Sequence, residues 1–121
     1  MRARVAILED DVALREDILV PQLGAVGFDV EGFGASAELY RRMEVVAFEL
    51  LVLDLRLENE SGLDVARRLH AISPIAIVVL TGRGTRAEQV EGLSESVDAW
   101  LAKPVEVDVL VATMQSLLRR L

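Results

Sequence analysis

Unbroken apolar runs alternate along the whole chain with stretches of helical period. Val5-Ala6-Ile7-Leu8 follows Arg4 and stops abruptly at Glu9-Asp10-Asp11. Leu50-Leu51-Val52-Leu53 runs into Asp54, Leu55-Arg56-Leu57 follows, and polar residues take over from Glu58. Ile75-Ala76-Ile77-Val78-Val79-Leu80 is the longest purely apolar run and ends at Thr81. Runs of this length, bounded by polar residues, predict buried strands. Phe28-Asp29-Val30-Glu31-Gly32-Phe33 and Val97-Asp98-Ala99-Trp100-Leu101 mix apolar with polar residues and predict strands nearer a sheet edge.

Helical patterns fill the gaps. Asp11 can cap a helix starting near Val12, with Val12, Ile18, Leu19, Leu23 and Val26 on or near one face. Pro21 lacks an N–H and predicts a kink or an early end there, while Gly24 and Gly27 close the segment. A second helix runs from about Ser36, with Leu39, Met43 and Val46 spaced for burial. Ser61-Gly62-Leu63-Asp64 resembles a capping box, and Leu63, Val65, Ala66 and Leu69 give its helix an apolar side. Thr85-Arg86-Ala87-Glu88 opens a fourth helix poor in apolar residues, with only Ala87, Val90 and Leu93 and with Gly92 inside. In the last helix Val107, Leu110, Val111, Met114, Leu117, Leu118 and Leu121 follow the i, i+3, i+4, i+7 pattern.

Strand and helix thus alternate as (βα)5, which implies a parallel sheet with right-handed crossovers. Strands one, three and four are continuously apolar, as strands covered on both faces are, and belong in the middle. The order 2-1-3-4-5 satisfies this: a flavodoxin-like, doubly wound five-stranded sheet with its switch point between strands one and three.

Composition narrows the classes. The 121 residues suit one domain, and an apolar fraction of 52% is too high for disorder. Without cysteine there is neither a disulfide nor a thiolate metal site. No apolar run approaches the ~20 residues of a membrane span and no signal peptide opens the chain, so a cytoplasmic protein without membrane contact is expected. A net charge of −7 argues against direct nucleic acid binding by this chain. Of the thirteen cations all but Lys103 are arginine, which singles out that lysine as a compact point charge.

Alone, an acid ending a strand is commonly a surface group that starts a turn. The strand order changes the weight given to Asp54. It brings Glu9, Asp10 and Asp11 beside it, puts Thr81 one strand further along, and places Lys103 at the same edge, where open α/β sheets bind ligands. Two like charges ~4 Å apart repel by about 4 kcal/mol at an effective dielectric near 20. A raised carboxylate pKa or a bound cation relieves this. An oxygen-only site suits Mg²⁺ or Mn²⁺, leaving room for a phosphate oxygen. Metal, ammonium, hydroxyl and a carboxylate nucleophile together make a phosphoryl-transfer site by content.

With these residues the chain resembles the receiver domain of a two-component response regulator over residues 1–121. The resemblance rests on Glu9-Asp10-Asp11, on Leu53-Asp54-Leu55-Arg56-Leu57 with Gly62, on Val79-Leu80-Thr81-Gly82, and on Asp98-Ala99-Trp100-Leu101-Ala102-Lys103-Pro104. It implies a phosphoacceptor rather than an enzyme with turnover: Asp54 takes a phosphoryl group from a phosphohistidine of a sensor histidine kinase. It implies Mg²⁺ (or Mn²⁺) held by Asp10, Asp54 and the backbone carbonyl of Arg56, with Glu9 acting through water. Thr81 would bond the phosphoryl group, Lys103 would pair with Asp54 or its phosphate, and Trp100 would follow Thr81 as the switch aromatic. The family often forms homodimers through the fourth helix, fifth strand and fifth helix. Most members carry a separate output domain, commonly one that binds DNA, so the chain is expected to be a receiver excised from a transcription regulator.

Some positions depart from the family pattern. Glu58 stands where proline is usual, which should loosen the loop and set a carboxylate competing for Lys103. Arg56 and Arg83, two residues after Asp54 and Thr81, are expected to shield the phosphoaspartate and slow its hydrolysis. The fourth helix, with few apolar groups and glycines before it, is expected to move most on phosphorylation. Three other readings compete. Gly32-Phe33-Gly34-Ala35-Ser36-Ala37 matches G-x-G-x-x-A, with Asp54 twenty residues past Gly34, as a small nucleotide-binding Rossmann-like domain would ask. It follows the second strand and leaves Glu9-Asp10 and Lys103 unexplained. A phosphatase with a nucleophilic aspartate would carry an acid where Arg56 stands. The third is a receiver-like interaction domain that is never phosphorylated. His70, the only histidine, reads as a solvated helix residue.

Overall fold

The structure, a computed structural model describing residues 2–120, contains one five-stranded sheet. Among the described residues the strands are β1 (Arg4–Leu8), β2 (Asp29–Phe33), β3 (Leu50–Leu53), β4 (Ala76–Thr81) and β5 (Ala99–Ala102). All pair in parallel in the order β2-β1-β3-β4-β5, as expected. The helices are α1 (Val20–Val26), α2 (Ser36–Met43), α3 (Gly62–Ile72), α4 (Arg86–Glu95) and α5 (Val107–Leu118), and a π-helical segment, Leu14–Leu19, leads into α1.

Successive strand residues point to opposite faces, so each central strand feeds two cores. Ala6, Leu8, Leu51, Leu53, Ile77 and Val79 pack with Leu39, Leu63, Val65 and Leu69 of α2 and α3. Val5, Ile7, Leu50, Val52, Val78 and Leu80 pack with Leu19, Leu23, Leu110 and Met114 from the α1 and α5 side. This double covering is why the three middle strands carry no polar alternation.

Several local expectations are corrected. Pro21 does not end the first helix, which runs on to Val26. The Val20 N–H reaches back to the Arg15 carbonyl in π fashion, and Pro21 falls in the first turn of α1, where a missing N–H costs little. Val12 and Val26 are exposed rather than buried. Gly27, at φ 115°, closes the helix in the left-handed conformation that favours glycine. Met43 is half-buried, and Val46 is buried from the turn after α2 instead of from the helix. The box at Ser61 is only half made: its hydroxyl accepts from the Leu63 N–H, while Asp64 pairs with Arg67. The box at Thr85 and Glu88 is complete. β5 starts two residues later than expected, because Val97 is drawn into the end of α4 by a bond from its N–H to the Gly92 carbonyl. Leu121, assigned to the last apolar face, lies outside the described residues.

Candidate functional site

The carboxyl ends of β1, β3, β4 and β5 converge as the strand order requires. The Asp54 N–H bonds to the Leu8 carbonyl, and the Lys103 N–H to the Thr81 carbonyl, so the ladders carry both residues just past the strand ends. Asp10, Asp11, Asp54, Arg56, Thr81, Gly82, Arg83 and Lys103 line a cavity of about 340 Å³ at this edge. Carboxylate oxygens of Glu9, Asp10 and Asp54 lie within 4.8 Å of one another. Lys103 Nζ donates to Glu9 Oε1 at 2.5 Å and to Asp54 Oδ2 at 3.4 Å, and precedes a cis peptide to Pro104. Glu9, Asp54 and Thr81 are buried, and Asp10 and Lys103 partly so.

Burial sets the electrostatics. It pushes the Glu9 carboxyl up to about 8, and the neighbouring Asp54 pushes the same way against the pull of Lys103. For Lys103 burial works against the charged form, but Glu9 and then Asp54 outweigh it and hold the ammonium above its ordinary value. One ammonium thus serves two carboxylates, and Glu9 Oε2 remains buried without a hydrogen-bond partner. A buried acceptor left in this way is expensive unless something else satisfies it.

The remaining expected residues fall around this centre. Asp11 is exposed, lines the cavity and caps the first helix by accepting from the Leu14 N–H. Thr81 Oγ1 accepts from the Arg83 N–H. Trp100 is half-buried, and a Cβ on Gly84 would lie 2.4 Å from its Cζ2 and 3.2 Å from Thr81 Cγ2, so the loop after Thr81 rests on the indole. The Arg56 N–H donates to Asp54 Oδ1 at 3.3 Å. The Arg56 guanidinium makes a fork-to-fork pair with Glu88 on α4 and donates to the Arg83 carbonyl. Glu58 is exposed, and the carboxylates that Lys103 binds are Glu9 and Asp54.

Without the usual proline, the loop after Asp54 is held by other means. Arg56 and Ser61 form an antiparallel bridge, Leu55 and Leu57 are buried, and Glu60 accepts from both the N–H and the hydroxyl of Ser36 at the start of α2. Gly62 approaches so closely that a Cβ would lie 2.3 Å from the Asp54 carbonyl oxygen. The ties from Glu60 to Ser36 and from Arg56 to Glu88 have no signature in the sequence. The capping box at Glu88 was visible, but not the arginine it also holds. The G-x-G-x-x-A stretch has no open cradle, because the side chain of Arg15 occupies the space over Gly32 and Gly34.

A family model for the response regulator receiver domain matches residues 5–115. The chain belongs to this receiver family. Over 120 residues the domain is 33% identical to the DNA-binding response regulator MtrA of Mycolicibacterium paratuberculosis, covering 99% of this chain and 53% of the relative. The chain therefore spans about half the length of the curated relatives it matches. It resembles the CheY-like receiver domain protein from Methanospirillum hungatei JF-1 with a TM-score of 0.92, at 25% identity and 99% and 96% coverage of the two chains. It also resembles a response regulator from Burkholderia pseudomallei, whose structure holds a phosphorylated aspartic acid, a calcium ion and citrate. That match has a TM-score of 0.84 at 27% identity and covers 92% and 65% of the two chains. No helix among the described residues of this receiver is long and apolar enough to cross a membrane.

Proposed function

We propose that this receiver is a phosphoacceptor: Asp54 takes a phosphoryl group from a phosphohistidine of a sensor histidine kinase, in a reaction that needs a divalent cation. The observation that carries the reading is the buried Asp54 carboxylate, held between Lys103 Nζ and the Glu9-Asp10 pair in an open cavity. An Asp54 oxygen forms the new O–P bond as the N–P bond of the donor breaks, and the departing imidazole nitrogen keeps the electron pair. Lys103 and the Thr81 hydroxyl face the same cavity and would contact the phosphoryl oxygens.

The residues fit Mg²⁺ (or Mn²⁺). Every donor is oxygen, three carboxylates cluster, and Glu9 Oε2 is buried with an unused acceptor. Asp10, Asp54 and the Arg56 carbonyl would hold the ion, with Glu9 acting through water. Once bound, it would neutralise the carboxylates and the incoming phosphoryl charge. Thr81 and Trp100, joined across Gly84, would carry the signal to α4, β5 and α5, the face through which a homodimer would form. The DNA-binding relatives suggest that transcription is the output, through a domain beyond this chain. Incubation with acetyl phosphate and Mg²⁺, followed by intact mass, tests the core of the reading. One added phosphate is expected, absent from Asp54→Asn and from samples in EDTA. An unmodified wild-type chain would sink it.

A further inference from the structure

The Gly32-x-Gly34 pair is left unused by the phosphoacceptor reading. Neither glycine has a positive φ, since Gly27 is the only such residue described, so backbone conformation does not call for glycine there. Space does. A Cβ on Gly32 would lie 2.9 Å from Glu16 Oε2, the acceptor of Arg15 Nε, and 3.0 Å from Arg15 Cγ and Cδ, and one on Gly34 would lie 3.2 Å from Arg15 Nη1. Arg15 comes from the π-helical segment, a form that recurs at functional positions. Its side chain is mostly buried, its Nε donates to Glu16, and its Nη1 donates to the Glu9 carbonyl.

That carbonyl sits where β1 leaves the sheet. The Glu9 N–H is bonded to the Phe33 carbonyl, just before Gly34, while its own carbonyl has passed beyond the ladder. Arg15 therefore closes a clamp around the Glu9 peptide, one residue from Asp10 and on the residue that holds Lys103. We propose that Arg15, seated in the Gly32-x-Gly34 slot, is a positioning residue that fixes the Glu9-Asp10 turn for divalent cation binding. The inference rests on the cation site proposed above.

Partners behind metal ligands typically change affinity about 10- to 100-fold when removed. Arg15→Met keeps an apolar stem over the glycines and loses the donor; it should weaken Mg²⁺ binding at least about tenfold by calorimetry. Saturating Mg²⁺ should restore its rate of labelling by acetyl phosphate, because the ligands remain. Gly34→Ala keeps Arg15 but crowds Nη1, so it should weaken Mg²⁺ binding in the wild-type background and have no effect on top of Arg15→Met. A merely structural glycine would give the same loss in both backgrounds. Equal losses, or unchanged affinity in both single variants, overturn the assignment. If Arg15→Met does not fold, the affinity of Gly34→Ala decides alone. If the wild-type chain binds no Mg²⁺, the cation site itself fails and this inference with it.

Discussion

At the scale of single residues, Glu9 shows what a buried acid gains from an ion. Its carboxyl lies near 8 in the folded chain, against about 4.5 when unfolded, because burial and Asp54 outweigh Lys103. The raised value favours the protonated form in the fold. The stabilisation from that proton is therefore complete below pH 4.5 and is lost as the pH rises through 8. Glu9→Gln removes this dependence. In EDTA the variant should gain stability relative to wild type between pH 5 and pH 8.5 in urea unfolding, and a pH-independent difference would contradict the raised carboxyl. Cation uptake near neutral pH should expel the same proton, so calorimetry in buffers of unequal ionisation heat should detect proton release in wild type and not in Glu9→Gln. The identities of Glu9, Asp10, Asp54 and Lys103 were legible as acids and a lone lysine at strand ends. Their burial, and the choice of Glu9 as the closest partner of Lys103, depend on packing that no linear pattern records.

Elements were legible where one period dominated. The apolar runs of β1, β3 and β4 gave the middle of the sheet, and the five helices lie where their patterns predicted. What escaped was structure made by close approach rather than by period. In α4 the expected apolar residues Ala87, Val90 and Leu93 are exposed, and the buried residue is Gly92. A Cβ there would lie 3.1 Å from Leu63 and 3.2 Å from Trp100, so the helix packs through its own backbone. Such a helix depends on its ends and edges: the capping box at Thr85, Arg56 on Glu88, and Arg67 on Glu91 and Glu95. Glu88→Ala removes one arm of the box together with the tie to Arg56. Losing a cap costs about 1 kcal/mol. A loss of that order in urea midpoint is expected, with hydrogen exchange accelerated across residues 86–95 more than in α3 or α5. Uniform acceleration would mean that α4 is no weaker than its neighbours. Phosphorylation should act on the same element, with the largest exchange change over residues 82–96.

Across the whole molecule, the topology that builds two apolar cores also collects charge at one end of the sheet. The chain carries a net charge of −7, and three of its carboxylates meet where a single ammonium is available. The loop bearing Asp54 is fastened to α2 through Glu60 and to α4 through Arg56, which holds its backbone beside the Glu9-Asp10 turn. A cation that binds only the folded chain relieves the repulsion and stabilises it by mass action. At about a hundredfold excess over its dissociation constant the gain is about 2.7 kcal/mol. For a domain of this size that is on the order of ten degrees in melting temperature. Asp54→Asn removes one charge and one ligand oxygen while keeping the shape. In EDTA its melting temperature should exceed that of wild type, because Glu9 then faces Lys103 without a competing carboxylate. With Mg²⁺ its gain should be much smaller, so the order of the two proteins narrows or reverses as the ion is added. Thermal scans of both proteins across a Mg²⁺ series test this directly. If Asp54→Asn gained as much from Mg²⁺ as wild type, the ion would be acting somewhere other than the end of β3, and the acid cluster would have to carry its charge on Lys103 and the Glu9 proton alone.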